Sequence, residues 1–413
     1  MNNGADQPGS GDTPERKEFR ETVRGFLAAK AKPRQESGPW AVNFQVDPQQ
    51  ARREFDEGRD WQRTRYEAGM AGFTYPKEYG GQGGPAWQEQ IYQEEAANYG
   101  SSSGFVNATI AMLGPTLMAF GTEEQKRTLI PRLLSAEDAW CQLFSEPGAG
   151  SDLASLGCRA VRDGDEFLVT GQKVWNSAAQ WCDHGFLLTR TNPDVPKHRG
   201  ITMLLIDMRS AGVEVRPLVQ ATGAAHFNEV FLSEVRVPVA NVLGDIDGGW
   251  AAARTVLSNE AAMIGGGGAG GRGYGPLLRL ADLYSRRGDP IIRQELADIY
   301  SRDRLLEVMG LRIMEAVRQR EKPPIDPSLL KLYLTDKRAR SGNLAASIAG
   351  TAATLTDDEP TRWVAAEVVG RYSVSIGGGT TEVQKNNLAE RALGLPREPS
   401  QDREVAWRDL LRS

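Results

Sequence analysis

Apolar positions recur at helical spacing over the first third of the chain. Phe19, Val23, Phe26 and Leu27 form one stripe between charges, predicting a helix from Pro14 to about Ala31. A second helix is expected around Gln50 to Ala68. The breaker Tyr79-Gly-Gly-Gln-Gly-Gly84 precedes Pro85, which can open a third helix running to Tyr99. Phe105 to Phe120 is apolar and rich in small residues, the pattern of a buried helix. Thr122-Glu-Glu-Gln125 reads as a capping box opening the next helix.

The period then changes. Asp163-Gly-Asp165 turns the chain, and Phe167 to Trp175 reads as strand, turn, strand. Gly185 to Thr191, Ile201 to Met208, Val213 to Leu218 and Phe227 to Pro238 are short, β-rich runs separated by Asn, Pro, Asp and Gly. Helical patterning returns at Gly248 to Gly268, Tyr274 to Arg287, Pro290 to Arg320, Pro327 to Ala353, Pro360 to Ser373 and Thr380 to Ala392. The expected division is a disordered leader over 1–13, a helical domain over 14–138, a β domain over 139–243 and a helical domain over 244–413. The class is α+β multidomain.

Composition narrows the function. A chain of 413 residues exceeds a single core, and 40% hydrophobic residues suffice for burial. A net charge of −5 gives no electrostatic case for nucleic acid. Cys141, Cys158 and Cys182 have neither metal spacing nor an even disulfide framework, and His184, His198 and His226 are scattered. A reducing, cytoplasmic setting and no metal are expected. No apolar run approaches the ~18 residues of a membrane span, and the first residues lack a signal or transit pattern.

Two features carry candidate chemistry. Glu146-Pro-Gly-Ala-Gly-Ser-Asp152 is too rich in Gly and Pro for a helix interior, and its backbone can approach a flat or charged ligand closely. Glu260 falls on the same helical face as Val256, Leu257, Met263 and Ile264. A Glu in an apolar stripe is costly unless it is paired, as with Arg254 or Arg272, or functional. Burial would raise its pKa, which suits a general base. Gly265 to Gly271 contains G-x-G-x-x-G only trivially, because no strand precedes it. Those small residues either make room for a bulky ligand group or allow tight helix packing.

Cys141-Gln-Leu-Phe-Ser-Glu-Pro-Gly-Ala-Gly-Ser-Asp152 and Gly164-Asp-Glu-Phe-Leu-Val-Thr-Gly-Gln-Lys-Val-Trp-Asn-Ser177 together resemble the acyl-CoA dehydrogenase family. So do Phe120-Gly-Thr-Glu-Glu-Gln-Lys126, Phe227-Asn-Glu-Val-Phe231, Val235-Arg-Val-Pro238, Gly248-Gly-Trp250 and Gly377-Gly-Gly-Thr-Thr-Glu-Val-Gln384, in the same order. The resemblance implies an N-terminal helical domain, a central β-barrel-like domain and a C-terminal four-helix bundle. It implies FAD as cofactor and an acyl-CoA substrate converted to the trans-2-enoyl-CoA. An electron-transfer flavoprotein as acceptor and a homodimer, tetramer or heteromer are implied as well.

The resemblance also assigns residues. Gln142 and Ser145 match positions on the pyrimidine side of the flavin, and Ser151 a residue near the pyrophosphate. Trp175 and Ser177 match the ring-packing Trp and a hydroxyl near N5, although a Trp in a β hairpin is often simply core. Thr380 and Glu382 match contacts to the nucleotide half. Arg287, and then Gln294, match contacts to a neighbouring subunit's FAD, although the usual Phe-Gly is missing and solvated charge at a helix end reads as well. The Glu that many members carry before Gly-Thr is Gly378 here, leaving only its backbone N–H to polarise a thioester. In the isovaleryl-CoA dehydrogenase branch the base lies on the helix of Glu260, with a small residue at the position of Gly378; the Arg that commonly follows that base is Ala261 here. Gly288-Asp-Pro290 to Arg293-Gln-Glu-Leu296 and Arg391 to Arg397 resemble a bacterial group acting in steroid or branched-chain breakdown. A non-catalytic subunit of a heteromeric dehydrogenase, weak in flavin binding, and a flavin oxidase are the alternatives.

Overall fold

A computed structural model describes residues 12–34, 38, 40, 47–266, 273–318, 326–397, 399, 402 and 404–410. Five helices come first: α1 (Pro14–Lys30), α2 (Pro48–Glu67), α3 (Ala86–Ala96), α4 (Gly104–Phe120) and α5 (Glu123–Leu134). Of the expected leader, residues 1–11 lie outside the described residues. Its last two residues belong to the fold: Thr13 caps α1, and Asp12 pairs with Arg20 at 2.7 Å. Thr122 and Gln125 form the capping box of α5.

Eight strands follow: β1 (Trp140–Leu143), β2 (Arg159–Asp163), β3 (Glu166–Val174), β4 (His184–Arg190), β5 (Ile201–Asp207), β6 (Val213–Leu218), β7 (Phe227–Pro238) and β8 (Val242–Leu243). Their order is β6-β7-β3-β2-β4-β5-β8, with β1 parallel to β4. The sheet is not a closed barrel. β2 and β4 share a single residue pair, Arg159 with Arg190, and the end strand β8 has only two residues to offer. The expected turn inside Phe167 to Trp175 is also absent. β3 runs unbroken, with a register shift against β7 between Val169 and Gly171. A Cβ on Gly171 would meet the Cys158 backbone at 2.7 Å, so glycine marks a close strand approach there rather than a turn.

The helices resume with α6 (Gly249–Gly266), α7 (Tyr274–Leu283), α8 (Pro290–Arg318), α9 (Pro327–Ala349), α10 (Glu359–Gly370), α11 (Ser373–Ile376) and α12 (Thr381–Asn387). α7 stops before the expected Arg287, because Ser285 turns left-handed at φ 55°. α6 packs on α4, β5 and α9, joining the two helical regions across the sheet. Leu277, Leu280, Ile299, Leu344 and Trp363 centre the core among α7 to α10. Among the described residues no helix is long and apolar enough to cross a membrane.

The last described residues lie against the sheet. Trp407 is buried; its backbone N–H donates to the Val195 carbonyl at 2.9 Å and its Nε1 to the Ser155 carbonyl at 3.2 Å. Arg408 pairs with Asp194 at 2.8 Å. The tail thus straps the loop after β4 to the turn before β2. Trp407→Ala should cost about 3 kcal/mol, read as earlier unfolding in urea and faster proteolytic loss of the tail.

Candidate active site

Strand β1 sets the first residues of the site. Its parallel pairing with β4 brings Gln142 opposite Phe186, and Ser145 follows at the strand end. The next segment is held by one ion pair. Lys173 on β3 is fully buried, and its Nζ donates to the Phe144 carbonyl at 2.9 Å and to Glu146 Oε1 at 2.7 Å. Glu146 also accepts from the N–H groups of Gly157 (2.7 Å) and Cys158 (2.9 Å). One carboxylate therefore ties the end of β1, the approach to β2 and β3 together.

Beyond β3 the backbone is contorted. Trp175 takes φ 65° and Ala178 φ 55°, and both conformations are strained for residues with a Cβ. Asn176 holds them in place, donating from Nδ2 to the Gln142 carbonyl at 2.8 Å. Asn228 Nδ2 donates in turn to the Asn176 carbonyl at 2.8 Å. The Trp175 indole stands out of the sheet, 59% exposed, in a T-shaped contact with Phe227 whose ring centroids are 5.8 Å apart. Ser177 beside it is half-buried.

Glu260 reaches the same place from α6. It is half-buried and hydrogen-bonded to the Gln142 side chain. Burial raises its pKa above the usual carboxylate range, against the opposing pull of Gln142 and the Lys331 charge. The partners are these two and not Arg254, one of the alternatives the sequence left open; Arg254 is exposed, and Arg272 lies outside the described residues. Lys331 on α9 is buried, and its Nζ donates to the Gly377 carbonyl. Burial pushes its own pKa down. Gln384 Nε2 donates to the Gly378 carbonyl at 2.9 Å. Gly378 (φ 66°) and Gly379 (φ 87°) are both left-handed, which glycine tolerates without strain.

The predicted residues are thus only partly brought together. Gln142, Ser145, Trp175 and Ser177 share one corner of the sheet, and Gln142 joins them to Glu260. Gly378 joins the cluster through Lys331 and Gln384. Thr380 caps α12, accepting from the Val383 N–H at 3.2 Å, and Glu382 is exposed in that helix's first turn. Ser151 is exposed on the turn after Ala149. Arg287 and Gln294 are exposed away from this cluster, Arg287 pairing with Asp282 at 3.2 Å. Of the run Gly265 to Gly271, α6 takes the first two residues and the rest lie outside the described residues. A cavity of about 450 Å³ lies elsewhere, beside Trp407, Arg159 and Asp247, and no predicted site residue lines it.

Sequence reasoning missed Lys331, Gln384, Lys173 and Asn176. Lys331 had a signal: it is the one cation in Ser328-Leu-Leu-Lys-Leu-Tyr-Leu334. Lys173 had a weaker one, lying two residues from Gly171 on the alternation of β3.

Three family models match in series: acyl-CoA dehydrogenase N-terminal domain over residues 13–137, middle domain over 141–235 and C-terminal domain over 247–393. The chain is 36% identical over 390 residues to acyl-CoA dehydrogenase IpdE1 of Mycobacterium tuberculosis (strain ATCC 25618 / H37Rv), covering 92% of this chain and 98% of the relative. It is 31% identical over 408 residues to acyl-CoA dehydrogenase FadE26 of the same organism, covering 93% and 98%. The crystal structure of the ChsE4-ChsE5 complex from Mycobacterium tuberculosis is similar with a TM-score of 0.68 and 30% identity, over 94% of this chain and 100% of that one. The Tcur3481-Tcur3483 steroid ACAD is similar with a TM-score of 0.69 and 28% identity, over 94% and 99%.

Two outcomes follow from the buried charges. Lys173→Met leaves Glu146 without its cation and should destabilise the chain by about 3–5 kcal/mol in urea unfolding, with partial recovery in the Lys173→Met/Glu146→Gln double variant. For Glu260, the raised pKa means that the folded chain binds a proton at pH values where the unfolded chain has released it. Its contribution therefore weakens folding as pH rises through that window. Glu260→Gln should melt above the wild type at about pH 8, with the gain vanishing towards about pH 4, below the unfolded pKa.

Proposed function

The chain belongs to the acyl-CoA dehydrogenase family, and from that premise we propose that it converts an acyl-CoA to the trans-2-enoyl-CoA with FAD as cofactor and Glu260 as base. The observation that carries the base assignment is the half-buried Glu260 carboxyl, its pKa raised, hydrogen-bonded to Gln142 and acted on by the charge of Lys331, which holds the Gly377 carbonyl of the glycine loop. Gly378 itself can contribute only backbone.

The residues around Trp175 suit a flat ring. An indole held outward on a strained backbone and 59% exposed is an apolar face awaiting cover. Trp175 would pack on FAD, with Gln142, Ser145 and Ser177 around the ring, Ser151 towards the pyrophosphate, and Thr380 and Glu382 on the nucleotide half. FAD, when bound, supplies the acceptor for the β hydride. Glu260 takes the α proton onto its carboxylate. Gln142 and the Lys331 charge oppose the burial that would otherwise keep Glu260 protonated. The Gly378 N–H donates to the thioester oxygen as negative charge develops there.

The substrate we infer is a bulky acyl-CoA of the steroid or branched-chain kind. Similarity to a steroid ACAD supports this, as do the segments around Gly288 and Arg391. An electron-transfer flavoprotein in the cytoplasm is the proposed acceptor. Apolar residues exposed on α8, Tyr300, Leu305, Val308 and Leu311, favour burial against another chain of this fold. In that assembly Arg287 and Gln294 would serve the neighbour's cofactor. A non-catalytic subunit is the second reading, favoured by Gly378 and by the two-chain naming of both similar structures.

Anaerobic titration with straight, branched and steroid acyl-CoAs, followed by flavin absorbance, tests both. Bleaching by one class supports the dehydrogenase and identifies the acyl type, whereas a colourless protein favours the subunit. Glu260→Gln should slow flavin reduction by ~10²–10⁴-fold; near-normal reduction would sink the base assignment. Since Glu260 must be ionised to accept a proton, wild-type reduction should fall as pH drops through its raised pKa.

A further inference from the structure

The loop from Gly377 to Gly379 has no side chain to hold it, yet two helices grip it. Lys331 on α9 donates to the Gly377 carbonyl, and Gln384 on α12 donates to the Gly378 carbonyl at 2.9 Å. In a trans peptide the C=O of one residue and the N–H of the next point in opposite directions within one plane. Fixing the Gly377 carbonyl towards Lys331 therefore turns the Gly378 N–H to the opposite side. Fixing the Gly378 carbonyl does the same for the Gly379 N–H. A free Gly-Gly-Gly segment would sample both signs of φ and both directions of these groups.

We propose that Lys331 and Gln384 are positioning residues: they hold successive carbonyls of the glycine loop so that the Gly378 and Gly379 N–H groups stay aimed at the thioester oxygen. Lys331 has a second task, because its charge acts on Glu260. Among the described residues, the other charges on the elements packed around these two are absent, paired or exposed. α4 carries no ionisable residue, and Asp207 of β5 is exposed at the strand end. On α9, Lys337 pairs with Asp303 of α8 and Arg338 with Glu367 of α10. Glu382 and Lys385 of α12 are exposed. The inference rests on the dehydrogenase reading.

The test uses Lys331→Met, Lys331→Arg and Gln384→Leu in the full chain, with the acyl-CoA that bleaches the wild-type flavin. Lys331→Met should lower kcat by ~10–10²-fold with KM little changed, and should move the acid limb of the pH profile upward. Lys331→Arg should restore part of both. The thioester carbonyl band of the bound trans-2-enoyl-CoA, shifted by hydrogen bonding in the wild type, should move back towards its solution position in Lys331→Met. Gln384→Leu should move the band without moving the acid limb, because Gln384 is neutral; it also stands as the test if Lys331→Met does not fold. In ligand-free protein, Lys331→Met should lose more stability at alkaline than at acid pH, and adding Glu260→Gln should shrink that difference, leaving the part that comes from burial of Lys331 itself. Unmoved kcat, band and acid limb in folded variants would overturn the proposal. If no acyl-CoA reduces the wild-type flavin, the dehydrogenase reading fails, while the pH-dependent melting still decides whether the Lys331 charge acts on Glu260.

Discussion

The Lys173 ammonium has no exposed surface, and a buried cation must be answered where it sits. Its answer is the Glu146 carboxylate, which also takes two backbone N–H groups from the turn before β2. This pair cannot slide. A shift of β3 along β7 would withdraw Lys173 from both the Phe144 carbonyl and Glu146. The register of β3 thereby fixes where Trp175, Asn176 and Ser177 emerge, and Asn176 passes that constraint to Gln142. The strained φ at Trp175 persists because the residues on either side of it are fixed in this way. Other contacts at this corner, including the one from Gln142 to Glu260, presuppose that arrangement.

Gln142 then links two parts that are distant in sequence. Its backbone belongs to the sheet and its side chain to a carboxyl on α6. α6 can bring Glu260 there because small residues on its buried side, Ala252 and Ala253, let it lie close to its neighbours. The carboxyl therefore sits between a sheet fixed by an ion pair and a bundle helix bearing Lys331. Neither neighbour offers enough opposing charge to cancel the desolvation of Glu260, so its pKa stays raised. A group in that condition accepts a proton more readily than an exposed carboxylate does.

Much of this was legible where pattern and structure share a period. β7 begins and ends at the expected Phe227 and Pro238, because its alternation, shifted by one residue at Ser233-Glu234, extends across twelve residues. Glu260 was legible as a charge on an apolar face. Gly171 misled, since a glycine between β-formers signals a turn as readily as a close approach, and only the position of Cys158 separates the two. The open sheet was not readable either, because closure depends on how many residues its end strands pair. The tail strap acts largely through backbone groups of Val195, Pro193 and Ser155, which leave no residue signature. Lys331 lay in plain view, but a single cation in an apolar run also describes a helix edge with its side chain reaching solvent.

On the proposed reading, the glycine loop and Glu260 on α6 divide one catalytic task between two elements. A base carried on the loop would have to move whenever the loop moved, because its side chain and the polarising N–H would share one backbone. Separating them puts the carboxyl on a helix, whose backbone is fixed by its own ladder. The loop is left to present only peptide groups. Glycine then suits both left-handed positions, and a Cβ on Gly379 would meet Gln384 Nε2 at 2.7 Å. What the loop loses in stiffness through its glycines is offset by donors from α9 and α12. On that reading the base and the polarising N–H groups are set by different elements, and Lys331 bears on both, holding the Gly377 carbonyl and acting on Glu260 through its charge.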